Sequence, residues 1–241
     1  MLVTETPGYR PLYRQVYDIV VNKVVKGTWR PGESLPSEHN LAKELGVSQG
    51  TVRKVLDALT AEKLLERRQG KGTYIAETTQ ERSLFRFFRI SRPGGKRLTP
   101  ERAGESVKVR SARTHERIKL DLDRADRIVE ISRIRLIDGT PGIYETIILP
   151  ANLFPGIEKR ASLPNTLYSL YQTEYGINIV SAHEEVRAEL ASAEDSQQLQ
   201  IKKGDPILVV DRLALSLQER KVEWRMSRVK SQDLVYAVTL T

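Results

Sequence analysis

The sequence predicts an α+β protein of two domains, because its first third and its remainder follow different periodicities. Up to about residue 77, apolar residues recur three or four positions apart, as they do along one face of a helix. Beyond residue 120, apolar and polar residues mostly alternate, as they do in the strands of a half-buried sheet. The length agrees, since 241 residues can bury two cores of moderate size.

The composition narrows the classes of protein to which the chain can belong. Hydrophobic residues make up 39% and charged residues 29%, which is typical of a folded chain. There is no cysteine, and the three histidines have no metal-ligand spacing, so we expect no metal, no cofactor and no catalytic residues. Neither a membrane-spanning apolar run nor a signal-peptide core is present at the N-terminus or beyond. We therefore expect a soluble, cytoplasmic protein with no membrane partner.

The net charge of +8 is unevenly distributed along the chain. Residues 1–77 carry 12 basic and 9 acidic side chains, residues 78–119 carry 12 and 4, and residues 120–241 carry 15 and 18. The basic excess indicates a polyanionic partner, and its uneven distribution favours two domains. We expect the first domain at residues 1–77, a linker with a first strand at 78–90, and the second domain at 80–241.

The first domain begins with three predicted helices. The first follows Pro11 and ends at Gly27, while Ser37 and Ser48 are N-caps for the second and third. Because the second and third helices are short and are joined through Gly46, they match a helix-turn-helix. The other face of the third helix is polar and presents Gln49, Gly50, Arg53, Lys54 and Asp57.

A basic hairpin is predicted directly after the third helix. Gly70 and Gly72 permit a tight turn, and residues 73–75 favour a strand. The hairpin carries three basic side chains, Arg67, Arg68 and Lys71. A solvated basic turn would not explain why the hairpin adjoins a helix-turn-helix, whereas a wing at this place contacts phosphates or enters the minor groove. The residues therefore predict a winged helix-turn-helix that binds DNA.

Residues 11–75 resemble the DNA-binding domain of the GntR family of bacterial transcription regulators. The resemblance rests on LPSE, LA, GVS, TVR, the basic turn and GxGT, which follow one another in the family's order. Many relatives carry arginine at the positions of His39 and Gln49, and glutamine prefers adenine where arginine prefers guanine. Taking the resemblance with the helix and hairpin, we expect these DNA-binding residues: Ser37, Ser48, Gln49, Gly50, Thr51, Arg53, Lys54, Arg67, Arg68, Gly70, Lys71 and Gly72.

The middle segment, residues 78–119, combines basic and aromatic side chains. Alternation from Leu84 to Ile90 predicts a strand with arginines on one face, and a second strand is predicted at residues 107–110. Basic residues interleaved with aromatic ones can contact nucleic acid. Because only one short stretch shows this pattern, we favour the wall of an anion pocket or a charge complement to the acidic remainder.

The second domain is predicted to be a mainly antiparallel sheet, since long strands alternate with few crossover helices. Asp138 and Gly139 form a hairpin turn between two of the strands. The chain carries no dinucleotide-binding, phosphate-loop or hydrolase motif, so we expect no enzyme. The predicted strands cover residues 128–137, 142–149, 179–189, 207–215 and 222–230, and the predicted helices cover 166–175 and 192–200.

Charged residues stand in pairs on these predicted strands. Arg133 and Arg135 are two positions apart and share a face, and Glu145 lies across the hairpin on the next strand. Glu223 and Arg225 repeat the pattern near the C-terminus. Two arginines on one face suit a bidentate clamp for a carboxylate or phosphate. The residues alone leave a second interpretation open, a surface ion pair between Arg133 and Glu145 worth less than about 1 kcal/mol.

Residues 80–239 are similar to the UTRA effector domain of the HutC subfamily, through RIRLIDGTPGIYE, TLYSLYQTEYGI and VEWRMSRVKS. The similarity implies a chorismate-lyase-like fold with a ligand pocket on one face of an antiparallel sheet. The stretch Phe87-Phe88-Arg89 stands where sugar-phosphate-sensing relatives carry small hydroxyl residues. A carboxylate or amino-acid derivative therefore competes with a phosphosugar as effector. The expected effector-binding residues are Arg133, Arg135, Glu145, Tyr168, Glu223, Phe88 and Arg89.

These features together predict a ligand-responsive transcription regulator, a repressor released by a small anionic metabolite. We expect a homodimer on a near-palindromic double-stranded operator, and a protein associated with the nucleoid when it binds DNA. One alternative is an enzyme-like protein of lyase fold that acts on a carboxylate. It is disfavoured by the fused winged helix and by the lack of an acid/base pair with an obvious role. The other alternative is an unregulated DNA-binding protein.

Overall fold

The structure is a computed structural model that describes residues 11–95 and 98–239. The N-terminal segment in which we expect no signal-peptide core includes residues 1–10, which lie outside the described range. No helix within the described residues is long and apolar enough to span a bilayer. The same residues contain no group of histidine and carboxylate side chains arranged to hold a metal ion.

The N-terminal part is three helices followed by a hairpin, as predicted. Ser48 Oγ accepts the Thr51 N–H at 3.1 Å, and Ser37 Oγ accepts the Asn40 N–H at 3.2 Å, so both serines cap helices. The turn between the two helices uses Gly46 at φ +64°, a conformation that glycine adopts without strain. The elements are α1 (Leu12–Val25), α2 (Glu38–Leu45), α3 (Gln49–Ala61), β1 (Leu65–Arg68) and β2 (Gly72–Ile75).

The segment after the hairpin is a helix, so the strand predicted from Leu84 to Ile90 is wrong. Helix α4 spans Gln80–Phe87, and the only strand nearby is β3 (Ile90–Ser91). Thr79 caps α4 by accepting the Arg82 N–H at 3.2 Å. Buried Ser83 and half-buried Phe87, four positions apart, face the protein. A short run of apolar residues fits the periodicity of a strand as well as that of a helix. The N-cap at Thr79 favours the helix.

The C-terminal part is built on one antiparallel sheet of six strands, as predicted. The strand order is β4-β5-β6-β9-β8-β7, so β9 inserts between β6 and β8. A small second pair joins β3 to β10 (Val235–Tyr236). The large sheet consists of β4 (Glu101–Ser111), β5 (Arg127–Ile137), β6 (Thr140–Pro150), β7 (Ser181–Leu190), β8 (Pro206–Leu215) and β9 (Lys221–Lys230), accompanied by α5 (Thr114–Leu120), α6 (Leu167–Tyr175) and α7 (Ala193–Leu199).

The two faces of the large sheet differ in how they are covered. We call the face that carries Arg133 and Glu145 the inner face. Its apolar residues, including Ile131 and Ile147, pack against α6 in a continuous core. On the outer face, α5 and α7 flank an open groove of about 670 Å³ above side chains such as Thr146. Side chains on the inner face are therefore shielded from water, whereas those along the groove on the outer face are accessible to it.

Helix α6 also contacts the DNA-binding part directly. The Gln172 side chain accepts the Thr78 N–H at 2.7 Å and donates to the Ala76 carbonyl at 2.8 Å. Leu217, from the turn between β8 and β9, packs into the core of the helical part. The end of the hairpin strand and the wall of the inner-face core are thus joined through a few contacts.

Candidate functional site

The outward face of α3 is organised by one carboxylate from α2. Glu38 Oε2 accepts from Arg53 Nε at 2.9 Å and from Gln49 Nε2 at 3.4 Å. Glu38 Oε1 accepts from Arg67 Nη2, on the hairpin, at 3.3 Å. The hydrogen bond from Arg53 is the main reason that the pKa of Glu38 lies below its usual value. Three predicted DNA-contacting side chains therefore meet at one glutamate, which we call the Glu38 cluster.

This cluster is open to water. The side chain of Arg53 is 58% exposed and that of Arg67 is 45% exposed. Arg67 also binds Asp57 Oδ1 at 2.5 Å. Exposed ion pairs of this kind contribute at most about 1 kcal/mol each, and salt screens them. A polyanion can therefore take over these guanidinium groups at little cost.

The small predicted residues of the helix-turn-helix have structural roles in the free protein. The hydroxyls of Ser48 and Thr51 lie 2.9 Å apart at the start of α3, and Ser37 caps α2. Gly50 is exposed, and a Cβ added there would meet only Ser48 Oγ, at 3.8 Å. Lys54 is exposed on the same face of α3. The structure thus gathers the α3 residues and Ser37 on one accessible surface.

The hairpin turn depends on glycine and carries its basic residues at different places. Gly70 and Gly72 have φ of +69° and +110°, which favour glycine. Lys71 is exposed at the tip between them. Arg68 lies 4.0 Å from the centroid of the Tyr74 ring and donates from Nε to Glu66 at 2.7 Å. Lys71 is thus presented outward, while Arg68 is held against the hairpin.

The inner face of the large sheet holds a buried cluster around Glu145. Glu145 Oε2 accepts from Arg133 Nε at 2.7 Å and from Arg135 Nη1 at 3.5 Å. Glu145 Oε1 accepts from Arg225 Nη1 at 3.2 Å. Arg133 is 1% exposed and Glu145 is 4% exposed. The interpretation of this pair as a surface ion pair is therefore wrong, because α6 and α4 cover this face of the sheet.

Arg225 connects Glu145 to a second buried carboxylate. It forms a bidentate pair with Glu223, with Nε–Oε1 at 3.0 Å and Nη2–Oε2 at 2.9 Å. The hydroxyls of Tyr168 and Tyr171 donate to the same carboxylate at 3.0 and 2.7 Å. Burial and the charge of Glu223 raise the pKa of Tyr168 to about 12. Each carboxylate oxygen of Glu223 thus already accepts two hydrogen bonds from the protein.

The buried cluster is short of negative charge. Its three arginines face two glutamates, and two of its buried donors, Arg133 Nη2 and Arg135 Nε, have no hydrogen-bond partner among the described residues. Burial would raise the pKa of Glu145, but the three guanidinium groups outweigh it and hold that pKa well below its usual range. Burial lowers the pKa of Arg135 to about 10. Unpaired buried donors beside an excess positive charge are suited to an anion.

A cavity of about 50 Å³ lies at this cluster. The cavity is closed on the α4 side by Phe87, whose ring meets Tyr168 edge-on at 5.0 Å. Six of the seven predicted effector-binding residues line it, while Glu223 stands behind Tyr168 and Arg225. Those six are Phe88, Arg89, Arg133, Arg135, Glu145 and Tyr168.

Arg225, Arg212 and Asn165 are among the lining residues that sequence patterns did not place in the predicted set. Arg225 and Arg212 lie directly opposite each other on β9 and β8, and Asn165 Oδ1 accepts from Arg135 Nη2 at 2.9 Å. The alternation of charged and apolar residues from Lys221 to Met226 marks Arg225, whereas Arg212 stands in a strand without such alternation. Their proximity to Arg133 follows only from the position of β9 beside β6, which the sequence pattern does not give.

Two family models together cover most of the chain. Residues 12–75 match the model described as bacterial regulatory proteins, gntR family, and residues 98–234 match the UTRA domain. The chain belongs to the GntR family of regulators that carry a UTRA domain. UTRA domains of this family bind small-molecule effectors, and the GntR helix-turn-helix binds DNA. This member is therefore a ligand-responsive transcription regulator and not an enzyme.

Several curated relatives of the chain are named as repressors. The chain is 30% identical over 215 residues to the histidine utilization repressor of Pseudomonas putida, covering 85% of this chain and 82% of that protein. It is 28% identical over 202 residues to the mannosyl-D-glycerate transport/metabolism system repressor of Escherichia coli K12, covering 83% and 84%. These matches confirm the resemblance to HutC-type repressors.

Solved structures of the family share the fold. The ligand-binding domain of a GntR-family regulator from Bordetella bronchiseptica superposes with a TM-score of 0.59 at 25% identity, covering 65% of this chain and 98% of that one. PhnF from Mycobacterium smegmatis gives a TM-score of 0.54 at 20% identity, covering 94% and 99%. The two-domain α+β fold predicted from the sequence is confirmed.

Proposed function

We propose that this protein is a homodimeric repressor that leaves its operator when a small carboxylate binds at the Glu145 cluster. Residues 1–77 form the DNA-binding domain and residues 80–241 the effector and dimerisation domain, with α4 in place of the predicted first strand. The protein acts in the cytoplasm, at the nucleoid when it binds DNA. Two recognition helices on a near-palindromic site match the symmetry of a dimer.

On DNA, the exposed residues divide into those that read bases and those that hold the backbone. Arg53 and Gln49 extend from the start of α3, where recognition helices meet base edges in the major groove. Lys54, Arg67 and Lys71 border that surface and pair with phosphates, which fix position without reading sequence. Because Glu38 holds Arg53 and Gln49 together, the reading side chains are already arranged before DNA arrives.

The single observation that carries the effector proposal is the pair of unpartnered buried donors, Arg133 Nη2 and Arg135 Nε. One carboxylate satisfies both donors and balances an excess of one positive charge, whereas a phosphate dianion would overcompensate it. The relatives named for histidine, mannosyl-D-glycerate and fructoselysine are named for compounds that carry a carboxylate. The Tyr168 and Phe87 rings at the cavity suit an effector with a flat or apolar portion.

The path from the cavity to the DNA-binding surface runs through α4. At one end of α4, the Phe87 carbonyl accepts a hydrogen bond from Arg212, a lining residue of the cavity. Near the other end, Arg82 donates to Glu66 Oε2 at 2.8 Å, and Glu66 also binds Arg68 of the hairpin. A cavity of about 50 Å³ holds little more than one water molecule, so an effector must displace this wall. Movement of α4 then changes the support of the wing.

The test is an operator-binding titration. The purified protein first selects its operator from random duplex DNA, and fluorescence anisotropy then measures affinity with aromatic carboxylates, aliphatic carboxylates and sugar phosphates. We expect a carboxylate to weaken operator binding by about 5- to 150-fold, the usual range of allosteric coupling. Arg133→Ala should bind DNA normally and lose this response. A response to sugar phosphates alone, or an unchanged response in Arg133→Ala, would overturn the effector proposal.

A further inference from the structure

A groove much larger than the inner-face cavity lies where the DNA-binding part meets α4. Its volume is about 630 Å³. Small organic ligands occupy pockets of about 300–1,000 Å³, so the groove is large enough for one. We call it the junction groove, because its lining comes from the hairpin, the segment after the hairpin, α4 and the chain before β7. The lining residues that carry the argument are Leu65, Glu66, Arg82, Arg86, Phe87 and Ile179.

Helix α4 separates the junction groove from the inner-face cavity. Ser83 and Phe87 line both of them. Leu84 lines only the inner-face cavity, whereas Arg82 and Arg86 line only the junction groove. Because residues three or four positions apart share one face of a helix, the two cavities lie on different flanks of α4. A movement of α4 away from the inner-face cavity therefore takes space from the junction groove.

The junction groove has apolar side chains from both parts of the chain. Leu65 belongs to the core of the helical part, and Ile179 belongs to the inner-face core. Phe87 is half-buried and packs against that inner-face core. Apolar side chains with a few well-placed polar groups are typical of a pocket for a small molecule. The hydrocarbon part of a ligand therefore has a surface to cover here.

Arg86 supplies a charge that the protein leaves without a counter-ion. It is half-buried, and burial lowers its pKa. Its Nη2 donates to the Val180 carbonyl, and its Cζ lies 4.8 Å from the centroid of the Phe87 ring. No carboxylate within residues 11–95 and 98–239 pairs with it. A guanidinium has five N–H donors, and its partial burial without an anion is unfavourable.

Neighbouring charges in the junction groove are paired or exposed. Arg82 Nη1 donates to Glu66 Oε2 at 2.8 Å, and Glu66 Oε1 accepts from Arg68 Nε at 2.7 Å. Three further charged lining residues are exposed to water, which screens them: Lys63, Glu77 and Glu81. A negative charge brought into the groove is therefore best placed at Arg86, beside the ring of Phe87.

We propose that the junction groove binds a small amphipathic carboxylate as a second ligand of this protein. The carboxylate pairs with Arg86, and the hydrocarbon part lies against Leu65, Ile179 and Phe87. The site is distinct from the Glu145 cluster, because it shares the α4 wall with the inner-face cavity but none of the three arginines that bind Glu145 or Glu223.

A ligand in the junction groove should oppose the effector. The proposed response requires α4 to move away from the inner-face cavity, and a molecule between α4 and the hairpin fills the space into which α4 moves. The two ligands are then antagonists, and each lowers the affinity of the other by the same factor. This consequence rests on the proposed function, whereas the binding site does not.

The first test measures binding of sodium octanoate to the full-length protein by isothermal titration calorimetry. Octanoate combines a carboxylate with an apolar chain, and octan-1-ol is its uncharged counterpart of the same length. We expect saturable binding of octanoate and at least about tenfold weaker binding of octan-1-ol, the size of one hydrogen bond to a charged group.

Variants locate the bound carboxylate. Arg86→Gln should lower the affinity for octanoate at least about tenfold, to the level of octan-1-ol. Arg86→Lys keeps the charge and should retain part of the affinity. Arg92→Gln is the matched control, because this arginine is 39% exposed and lies outside the groove. Arg133→Ala changes the other site and should bind octanoate as the wild type does. Circular dichroism checks that each variant is folded.

Hydrogen–deuterium exchange tests the position independently of any substitution. Octanoate should slow exchange of the amides of α4 and of β1, which border the groove, and leave those of β5 unchanged. Protection of β5 without protection of α4 would place octanoate in the inner-face cavity and overturn the proposal. Operator binding in the presence of octanoate tests the antagonism, and we expect it to be as tight as without octanoate, or tighter.

The outcomes separate the site from its consequence. If octanoate does not bind, or binds Arg86→Gln as tightly as the wild type, the junction groove is not a carboxylate site. If octanoate binds through Arg86 and releases the protein from its operator, the site stands and the antagonism is wrong. If no carboxylate weakens operator binding while octanoate still binds through Arg86, the proposed effector response fails and the site stands.

Discussion

The Glu38 cluster and the buried cluster around Glu145 each gather arginines at one glutamate, and they differ in their access to water. Around Glu38, on the α2–α3 surface, the arginine side chains are about half exposed. Around Glu145, on the inner face of the sheet, the glutamate and arginines are nearly or fully buried. Water and salt weaken the first set of ion pairs, while burial makes separation of the second costly. The first cluster can therefore transfer its arginines to DNA, whereas the second can only accept an additional anion.

The strongest test of this difference is the loss of the buried carboxylate. Glu145→Gln leaves the charges of Arg133, Arg135 and Arg225 without their shared partner. We expect the free energy of unfolding to fall by about 3–5 kcal/mol, the usual cost of breaking a buried ion pair by removing one partner. Urea denaturation of the full chain measures it. A loss under about 1 kcal/mol would mean that the cluster behaves as though it were exposed.

The same variant predicts a difference in pH dependence. The pKa of Glu145 in the folded protein lies well below the ordinary value of 4.5 for a glutamate side chain. Its stabilisation is therefore complete above about pH 4.5 and disappears as the pH falls through the lower, folded-state pKa. The stability difference between wild type and Glu145→Gln should be constant from pH 7 to 5 and shrink at more acidic pH. A difference that shrinks between pH 7 and 5 would contradict the lowered pKa.

The next largest effect concerns the exposed cluster on DNA. Arg53→Ala should weaken operator binding by about 1–3 kcal/mol and relax the preference at one base pair, without loss of fold. Lys54→Ala is the matched control, because a phosphate contact weakens binding to all sequences and lowers the salt dependence. Anisotropy with operator and scrambled DNA distinguishes the two. If Arg53→Ala weakened binding to operator and to scrambled DNA equally, Arg53 would not contact a base edge.

A smaller effect is expected at the link between the clusters. Arg82→Ala removes the contact from α4 to Glu66 of the hairpin strand. We expect the effect of the effector on operator affinity to shrink by about 0.5–2 kcal/mol, with effector binding itself retained. Arg92→Ala, which loses an exposed pair with Asp138, should leave the coupling unchanged. Isothermal titration with and without operator measures both, and equal coupling in the two variants would exclude α4 as the link.

The smallest effect is expected when the exposed glutamate is changed. Glu38→Gln should lower the free energy of unfolding by less than about 1 kcal/mol, because its partners are solvated. The difference should decrease further in 1 M salt, where screening acts over about 3 Å. Urea denaturation at two salt concentrations is sufficient. A loss as large as that in Glu145→Gln would erase the distinction between the two clusters.

Sequence patterns predicted the DNA-binding part well because its signals are local. Ser37, Ser48 and Gly46 mark helix ends by their own chemistry, and Gly70 and Gly72 mark the turn. The strands β5, β6, β8 and β9 were also predicted, because each is rich in β-branched or aromatic residues. Helix α4 was not, since the stretch from Leu84 to Ile90 fits a strand as well as a helix. Helix α5, of only seven residues, was missed.

The buried cluster was predicted in part, for a different reason. The spacing of Arg133 and Arg135 predicts a shared face, and the hairpin brings Glu145 opposite Arg133. Burial depends on α6 and α4, which come from distant parts of the chain. Arg225 joins the cluster only because β9 lies beside β6, with Ser227 opposite Glu145. Contacts set by the order of strands, rather than by spacing along one strand, were therefore beyond the sequence pattern.

The small size of the inner-face cavity also bears on the threshold of the genetic response. If only a fraction of molecules has the α4 wall displaced at any moment, the apparent dissociation constant equals the intrinsic one divided by that fraction. The metabolite concentration at which transcription begins then depends on how firmly Phe87 and Arg212 hold the wall closed. Substitutions that loosen this wall would lower that threshold, and substitutions that hold it more firmly would raise it.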